Sequence, residues 1–115
     1  MISLDDFKKV EIRIGKILSA ERVPDSDKLI LLKVDLGPSN TSGQGTDTRQ
    51  LVAGIGKIVK NPEELVGKEL PVLANLEPKM LKGYESQGMI LAADNNGGPV
   101  LLHPASPVNP GSIIK

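Results

Sequence analysis

Between two apolar runs, residues 70–74 and 89–93, the chain places Asn75, Lys79, Lys82, Ser86 and Gln87. Two side-chain amides, a hydroxyl and two ammonium groups are suited to holding a polar, anionic partner. Lysine is a point charge for phosphate oxygens, and the amides and hydroxyl can reach ribose hydroxyls or base edges. A solvated loop does not need this mixture. A polar surface held rigidly between two strands does, and such surfaces are where recognition takes place. Each residue also has a plainer reading. A single lysine is as often ordinary solvated charge, Asn75 is a turn former able to bond its own loop backbone, and Met89 at a strand start is equally a core or flank residue.

The rest of the chain offers no catalytic constellation. His103 is the only histidine and there is no cysteine, so the usual ligands of a zinc site are missing. Asp25 and Asp27 flank a turn and read as turn formers. Gly54-Ile55-Gly56-Lys57 lacks the strand–loop–helix length of a phosphate-binding loop. No nucleophile stands with an oriented base. A non-catalytic binding module is expected, with no cofactor and no metal.

Composition bounds the partner. At 115 residues one domain over 1–115 is expected, large enough for a modest core. No apolar run approaches membrane-spanning length, and the N-terminus lacks a signal-peptide pattern. Together with the lack of cysteine this is compatible with a cytoplasmic location. The 14 basic and 14 acidic side chains balance, so any nucleic-acid site must come from local clustering. Phe7 and Tyr84 are the only aromatics, too few for the stacking platform of a non-specific single-strand binder. If the partner is RNA, structured RNA is favoured, held by charge, hydrogen bonds and shape.

The elements that must position the polar cluster read mostly as short strands. Ser3 before Leu4-Asp5-Asp6-Phe7 predicts a capped helix start. Residues 10–20 alternate as a half-buried strand, with Gly15 expected at a bulge or sharp bend. Val23-Pro24-Asp25-Ser26-Asp27-Lys28 is a turn, and 29–36 a largely apolar second strand. A small-polar loop follows over 37–48, then a short third strand over 49–53. Asn61-Pro62-Glu63-Glu64-Leu65-Val66-Gly67 reads as one or two capped helical turns. Fourth and fifth strands are predicted over 68–75 and 88–93, a turn at 94–98 and a last strand at 100–102. The proline-rich tail is expected to be extended and ordered. This order suits an all-β, five-stranded Greek-key barrel of the OB type, with a short helix between strands three and four, an N-terminal helix and a C-terminal extension. By pattern alone other small barrels stand only slightly behind.

The order of motifs resembles the tRNA-binding domain family. That family occurs as an appendage of methionyl-tRNA synthetases, in other synthetases and in endothelial-monocyte-activating polypeptide, and as free-standing proteins. The matching segments are Val10-Glu-Ile-Arg-Ile-Gly-Lys-Ile, Pro24-Asp-Ser-Asp-Lys-Leu, Lys33-Val-Asp-Leu-Gly and Arg49-Gln-Leu-Val-Ala-Gly-Ile. They continue with Pro62-Glu-Glu-Leu-Val-Gly-Lys, Ala74-Asn-Leu-Glu-Pro-Lys-Met-Leu-Lys-Gly and Glu85-Ser-Gln-Gly-Met-Ile-Leu-Ala-Ala. Each is weak alone; their succession across the whole chain is specific. The resemblance implies an OB-fold that binds tRNA by shape with little sequence preference, through Lys33, Arg49, Asn75, Lys79, Lys82, Ser86, Gln87 and Met89. It also implies a homodimer built from the N-terminal segment and the region after the fifth strand, assisting an aminoacyl-tRNA synthetase of the methionyl type. A free-standing protein or an excised appendage would both begin and end as this chain does. The loop at 38–48 is longer than in compact members, and the basic extension that some members carry before the domain is not in this sequence.

Two functions follow. One is a tRNA-binding module with Lys33, Arg49, Lys57, Lys79 and Lys82 as phosphate contacts, its affinity falling steeply with salt. The other, suggested by a chaperone-like branch of the same family, is a protein-interaction module using an apolar groove near Met80, Leu81 and Met89 and insensitive to salt.

Overall fold

A computed structural model describes residues 1–38 and 45–115. The expected 37–48 loop is narrowed by longer flanking strands, and 39–44, its centre, lie outside the described residues. The described residues form a short helix, α1 (Leu4–Phe7), and nine strands. These are β1 (Ile12–Arg22), β2 (Ile30–Pro38), β3 (Thr46–Ala53), β4 (Glu69–Leu73), β5 (Lys79–Leu81), β6 (Tyr84–Ser86), β7 (Met89–Ile90), β8 (Ala92–Asn95) and β9 (Gly98–Leu101). A single 3₁₀ turn, Pro62–Leu65, stands between β3 and β4. Five strands make one antiparallel sheet in the order β3-β2-β1-β4-β7, the curled all-β arrangement of an OB-like fold.

Strand β1 makes the curl possible. Its first half, Ile12 to Lys16, pairs with β4, and its second half, Lys16 to Arg22, pairs with β2. The expected bulge at Gly15 lies elsewhere: the register slips between Ile17 and Ser19. Gly15 instead permits close packing, since a Cβ there would stand 3.1 Å from Leu36 Cδ2 and 3.2 Å from Val72 Cγ2. Where β2 leaves the first half of β1, the C-terminal tail fills the gap. The Ile14 amide donates to Ser112 O and the Ile114 amide to Ile12 O, both at 2.9 Å. The proline-rich tail is thus extended and ordered, and bonded to the barrel.

Local chemistry accounts for the two short helical pieces. Ser3 Oγ accepts from the Asp6 amide at 3.1 Å and the Asp6 carboxylate reaches back to the Ser3 amide, a capping box. Asn61 Oδ1 accepts from the Glu63 amide ahead of Pro62.

The fifth strand is shorter than its apolar run suggests. Val72 and Leu73 pair with Ile90 and Met89, and the Leu91 amide donates to Pro71 O. Proline has no amide to return that bond, so the ladder stops. The chain then turns away into an exposed β8–β9 ribbon. Strand four is likewise confined to Glu69–Leu73.

The core holds Ile17, Ile30, Leu32, Leu36, Leu51 and Leu70, all essentially fully buried. Strand β2 also buries an apolar residue on its outer face. Its outward Leu31 joins Val23 and Val52 in a second small cluster, covered by Leu29, Leu81 and Tyr84. That cluster seats the β5–β6 hairpin on the outside of the barrel.

Candidate nucleic-acid interface

The β5–β6 hairpin organises the polar stretch. Lys79 pairs with Ser86, Met80 with Glu85 and Leu81 with Tyr84, leaving a two-residue turn at Lys82-Gly83. Both turn residues have positive φ, 51° and 85°, the requirement of a type I′ turn. Alternation then decides the faces. Leu81, Tyr84 and Ser86 face the barrel, while Met80 and Glu85 face solvent. Lys79 extends over the barrel surface from the inward face and lines a groove there. Lys82 stands at the exposed hairpin tip.

Lys33 and Gln50 lie opposite each other on the outer face of β2 and β3. Lys33 Nζ donates to Gln50 Oε1 at 2.9 Å, and Gln50 Nε2 donates to the Glu85 carbonyl at 2.9 Å. The Gln87 amide donates to Gln50 O, and Gln87 Oε1 accepts the Gln50 amide at 3.0 Å. Gln87 Nε2 donates to the Glu85 carboxylate. Lys33, Gln50, Glu85 and Gln87 therefore form one hydrogen-bonded patch.

Ser86 is buried. Its hydroxyl accepts the Val52 amide at 3.0 Å and donates to Gly88 O at 2.9 Å. Arg49 shares its side of β3 with the core-facing Leu51, not with Lys33. Its guanidinium grips both oxygens of Asp47 at 3.1 Å and donates to the carbonyls of Ala74 and Gln87. It holds together the end of β4 and the segment after β6. Asn75 sits farther off, where its Oδ1 accepts the Glu11 amide and its Nδ2 donates to Lys9 O, each at 2.7 Å. It ties the loop after β4 to the N-terminal segment, a longer-range bond than the expected turn.

The predicted residues thus separate by placement. Lys33, Lys79, Lys82 and Met89 present side chains to solvent, Met89 beside the groove. Arg49, Asn75, Ser86 and Gln87 are engaged in hydrogen bonds that join elements. Lys57 stands exposed on the turn after β3. Among the described residues neither Lys79 nor Lys82 makes an ion pair. Sequence reasoning missed Gln50, Glu85 and Asp47; the alternation in Arg49-Gln50-Leu51-Val52 is the signal that puts Gln50 on the outer face. It also missed Arg22, which donates to the carbonyls of Asp27, Gly56 and Val59 and fastens the 24–28 turn to the turn after β3.

Among the described residues no group of three or more His, Cys, Asp or Glu is placed to hold a metal ion. No helix among them is long and apolar enough to cross a membrane.

Residues 12–113 match a family described as "Putative tRNA binding domain". The chain is 50% identical over 115 residues to a methionine–tRNA ligase of Methanoregula boonei, covering all of this chain and 16% of that protein. The chain therefore spans about a sixth of the length of such curated relatives. Among solved structures it is similar to a MetRS-related protein of Pyrococcus horikoshii, with a TM-score of 0.87 and 33% identity over 100% of this chain and 98% of that one. It is also similar to the chaperone CsaA of Bacillus anthracis, with a TM-score of 0.82 and 31% identity over 100% and 99% of the two chains.

Proposed function

The chain belongs to the tRNA-binding domain family, and from that premise we propose that it recognises folded tRNA by shape, with little sequence preference. The family match over 12–113 carries this reading. The exposed lysines support it. Lys33 and Lys79 flank the β6 edge and Lys82 stands at the hairpin tip, so a phosphate backbone can follow them across one rigid surface. Arg49, Asn75, Ser86 and Gln87 hold that surface in shape, and Met89 offers it an apolar contact. Lys57 extends the cationic surface past the end of β3. A net charge of zero limits long-range attraction, so affinity rests on these local contacts.

The ligase activity named for the relatives belongs to those longer proteins; no catalytic step is assigned to this chain. Its proposed place is as the tRNA-holding part of, or an assistant to, a synthetase of the methionyl type in the cytoplasm. A homodimer is the proposed working form. Val10, Ile113 and Ile114 are exposed where the tail and N-terminal segment meet β1, and two sites on one particle gain through effective concentration.

The test is binding to folded tRNA, single-stranded RNA and duplex RNA of equal length over a salt series. Preference for folded tRNA, lost steeply as salt rises, is expected. Equal weak binding to all three overturns the reading. The likeness to CsaA favours a second reading, a chaperone-like protein-interaction module. It predicts binding to unfolded protein that survives high salt and ignores loss of Lys79 and Lys82.

A further inference from the structure

A groove of about 270 Å³ runs between the end of β3 and the hairpin. Val52, Ala53, Leu76, Leu81, Met89 and Ile90 make it mostly apolar. Glu77 and Lys79 are also among its lining residues, as is Gly54, where Lys28 Cε approaches to 3.5 Å of the position a Gly54 Cβ would take. One lysine therefore lines the apolar slot and a second lies beside it. An apolar peptide side chain has no use for flanking cations. A nucleotide does, because its base is flat and largely apolar on its faces while its phosphates are anionic.

We propose that this groove receives a single unstacked base of the bound RNA, with Lys28 and Lys79 on the adjacent phosphates. The proposal rests on the tRNA-binding reading and names a subsite within it. The shortage of aromatics makes such a slot necessary. Tyr84 packs against the Val23–Leu31–Val52 cluster, and Phe7 lies in α1. Neither ring lines the groove, so a base cannot stack there on an aromatic face in the usual manner. Met89 supplies the substitute: its thioether is soft and polarisable and makes favourable contacts with aromatic rings. Ser86 lines the groove but its hydroxyl already accepts from Val52 and donates to Gly88. It has no donor left to discriminate among bases. The Glu77 carboxylate is an acceptor for an exocyclic amine or a ribose hydroxyl. The slot thus accepts an unpaired base with only weak preference for its identity.

The test uses three RNA hairpins of identical stem: one with a single bulged 2-aminopurine, one with an abasic residue at the bulge, and one without a bulge. The full chain is expected to bind the first about tenfold more tightly than the other two, the scale of one base contact, with a change in 2-aminopurine fluorescence. Met89→Ala is expected to erase that preference. Equal affinity for bulged and abasic hairpins overturns the base slot and leaves the tRNA reading intact. Absence of salt-dependent binding to the hairpins and to folded tRNA alike overturns both. Because the bulged-against-abasic comparison uses the unmutated chain, a variant that fails to fold does not blunt it.

Discussion

Ser86 Oγ lies 3.0 Å from the amide nitrogen of Val52 and closes the barrel at an edge where no strand does. Strand β3 is the last of its sheet, so its outward amides and carbonyls need other partners. The end of β6 and the residue after it provide them, through the Ser86 hydroxyl, the Gln87 side chain and the Gln87 amide. The proposed recognition surface and the barrel closure are therefore the same stretch of chain. On that proposal its polar residues do two jobs, and mutations can separate them.

Ser86→Ala removes a buried hydroxyl that serves two backbone groups. The Val52 amide and the Gly88 carbonyl then lose a partner, at a cost of about 2 kcal/mol. Urea denaturation should show a lower midpoint with an unchanged slope. At a temperature where both proteins are fully folded, tRNA affinity should be unchanged. A loss of affinity with no loss of stability would make Ser86 a direct contact instead.

The tail depends on two facing glycines. Gly37 and Gly111 have φ of 86° and 88°, and a Cβ on either would collide with the backbone just before the other, Pro110 O in one case and Leu36 O in the other. Gly111→Ala combines left-handed strain with that collision, so a loss of more than about 2 kcal/mol is expected. Hydrogen exchange should locate it: the amides of Ile14 and Ile114, bonded across the tail junction, should lose protection before those of β2. Uniform loss of protection would mean that the tail does not open separately.

The N-terminal helix should respond to acid. Lys9, hydrogen-bonded to the Asp6 carboxylate, holds its pKa below the ordinary value of 3.8, and the Ser3 amide and hydroxyl act the same way. A lowered pKa means that ionised Asp6 favours the folded helix. Its contribution is complete above the unfolded pKa and disappears as pH falls through the folded one. NMR titration should find Asp6 titrating below 3.8, with the Ser3 and Asp6 amide shifts moving together. In Ser3→Ala the Asp6 titration should move upward; no movement would show that the box makes no difference to the carboxylate.

How much of this was readable beforehand depends on how far away each residue's partner lies. Ser3–Asp6 and Asn61–Glu63 are local, and the types of those residues announced both caps. The polar cluster at 75–87 was visible because polar residues interrupt two apolar runs. What each member does was not visible, because Ser86 bonds a residue 34 positions away, Gln87 one 37 away and Asn75 one 64 away. The same limit explains the bulge. A glycine marks where a strand can bend, but the register slip beside Leu18 depends on how β2 and β4 share β1. The largely apolar run of β2 correctly indicated a strand, yet nothing local identified Leu81 and Tyr84 as the cover of its outward Leu31.

Lys82 is the residue at which charge and backbone make opposite demands, which gives a clean test of the binding surface. Its φ of 51° is a left-handed conformation that lysine adopts at a cost. Asn-Gly is the preferred pair for a type I′ turn. Lys82→Asn should therefore raise stability by up to about 1 kcal/mol while removing one cation. If Lys82 contacts phosphate, the slope of log affinity against log salt should shrink by roughly 0.7–0.9, one released counterion. Adding Lys79→Ala should shrink it by about as much again. Lys60→Asn, on the surface near the 3₁₀ turn, should leave the slope alone. More stable protein with weaker and less salt-sensitive tRNA binding cannot be attributed to unfolding. An unchanged slope in the double variant would place the phosphate backbone on some other face of the barrel.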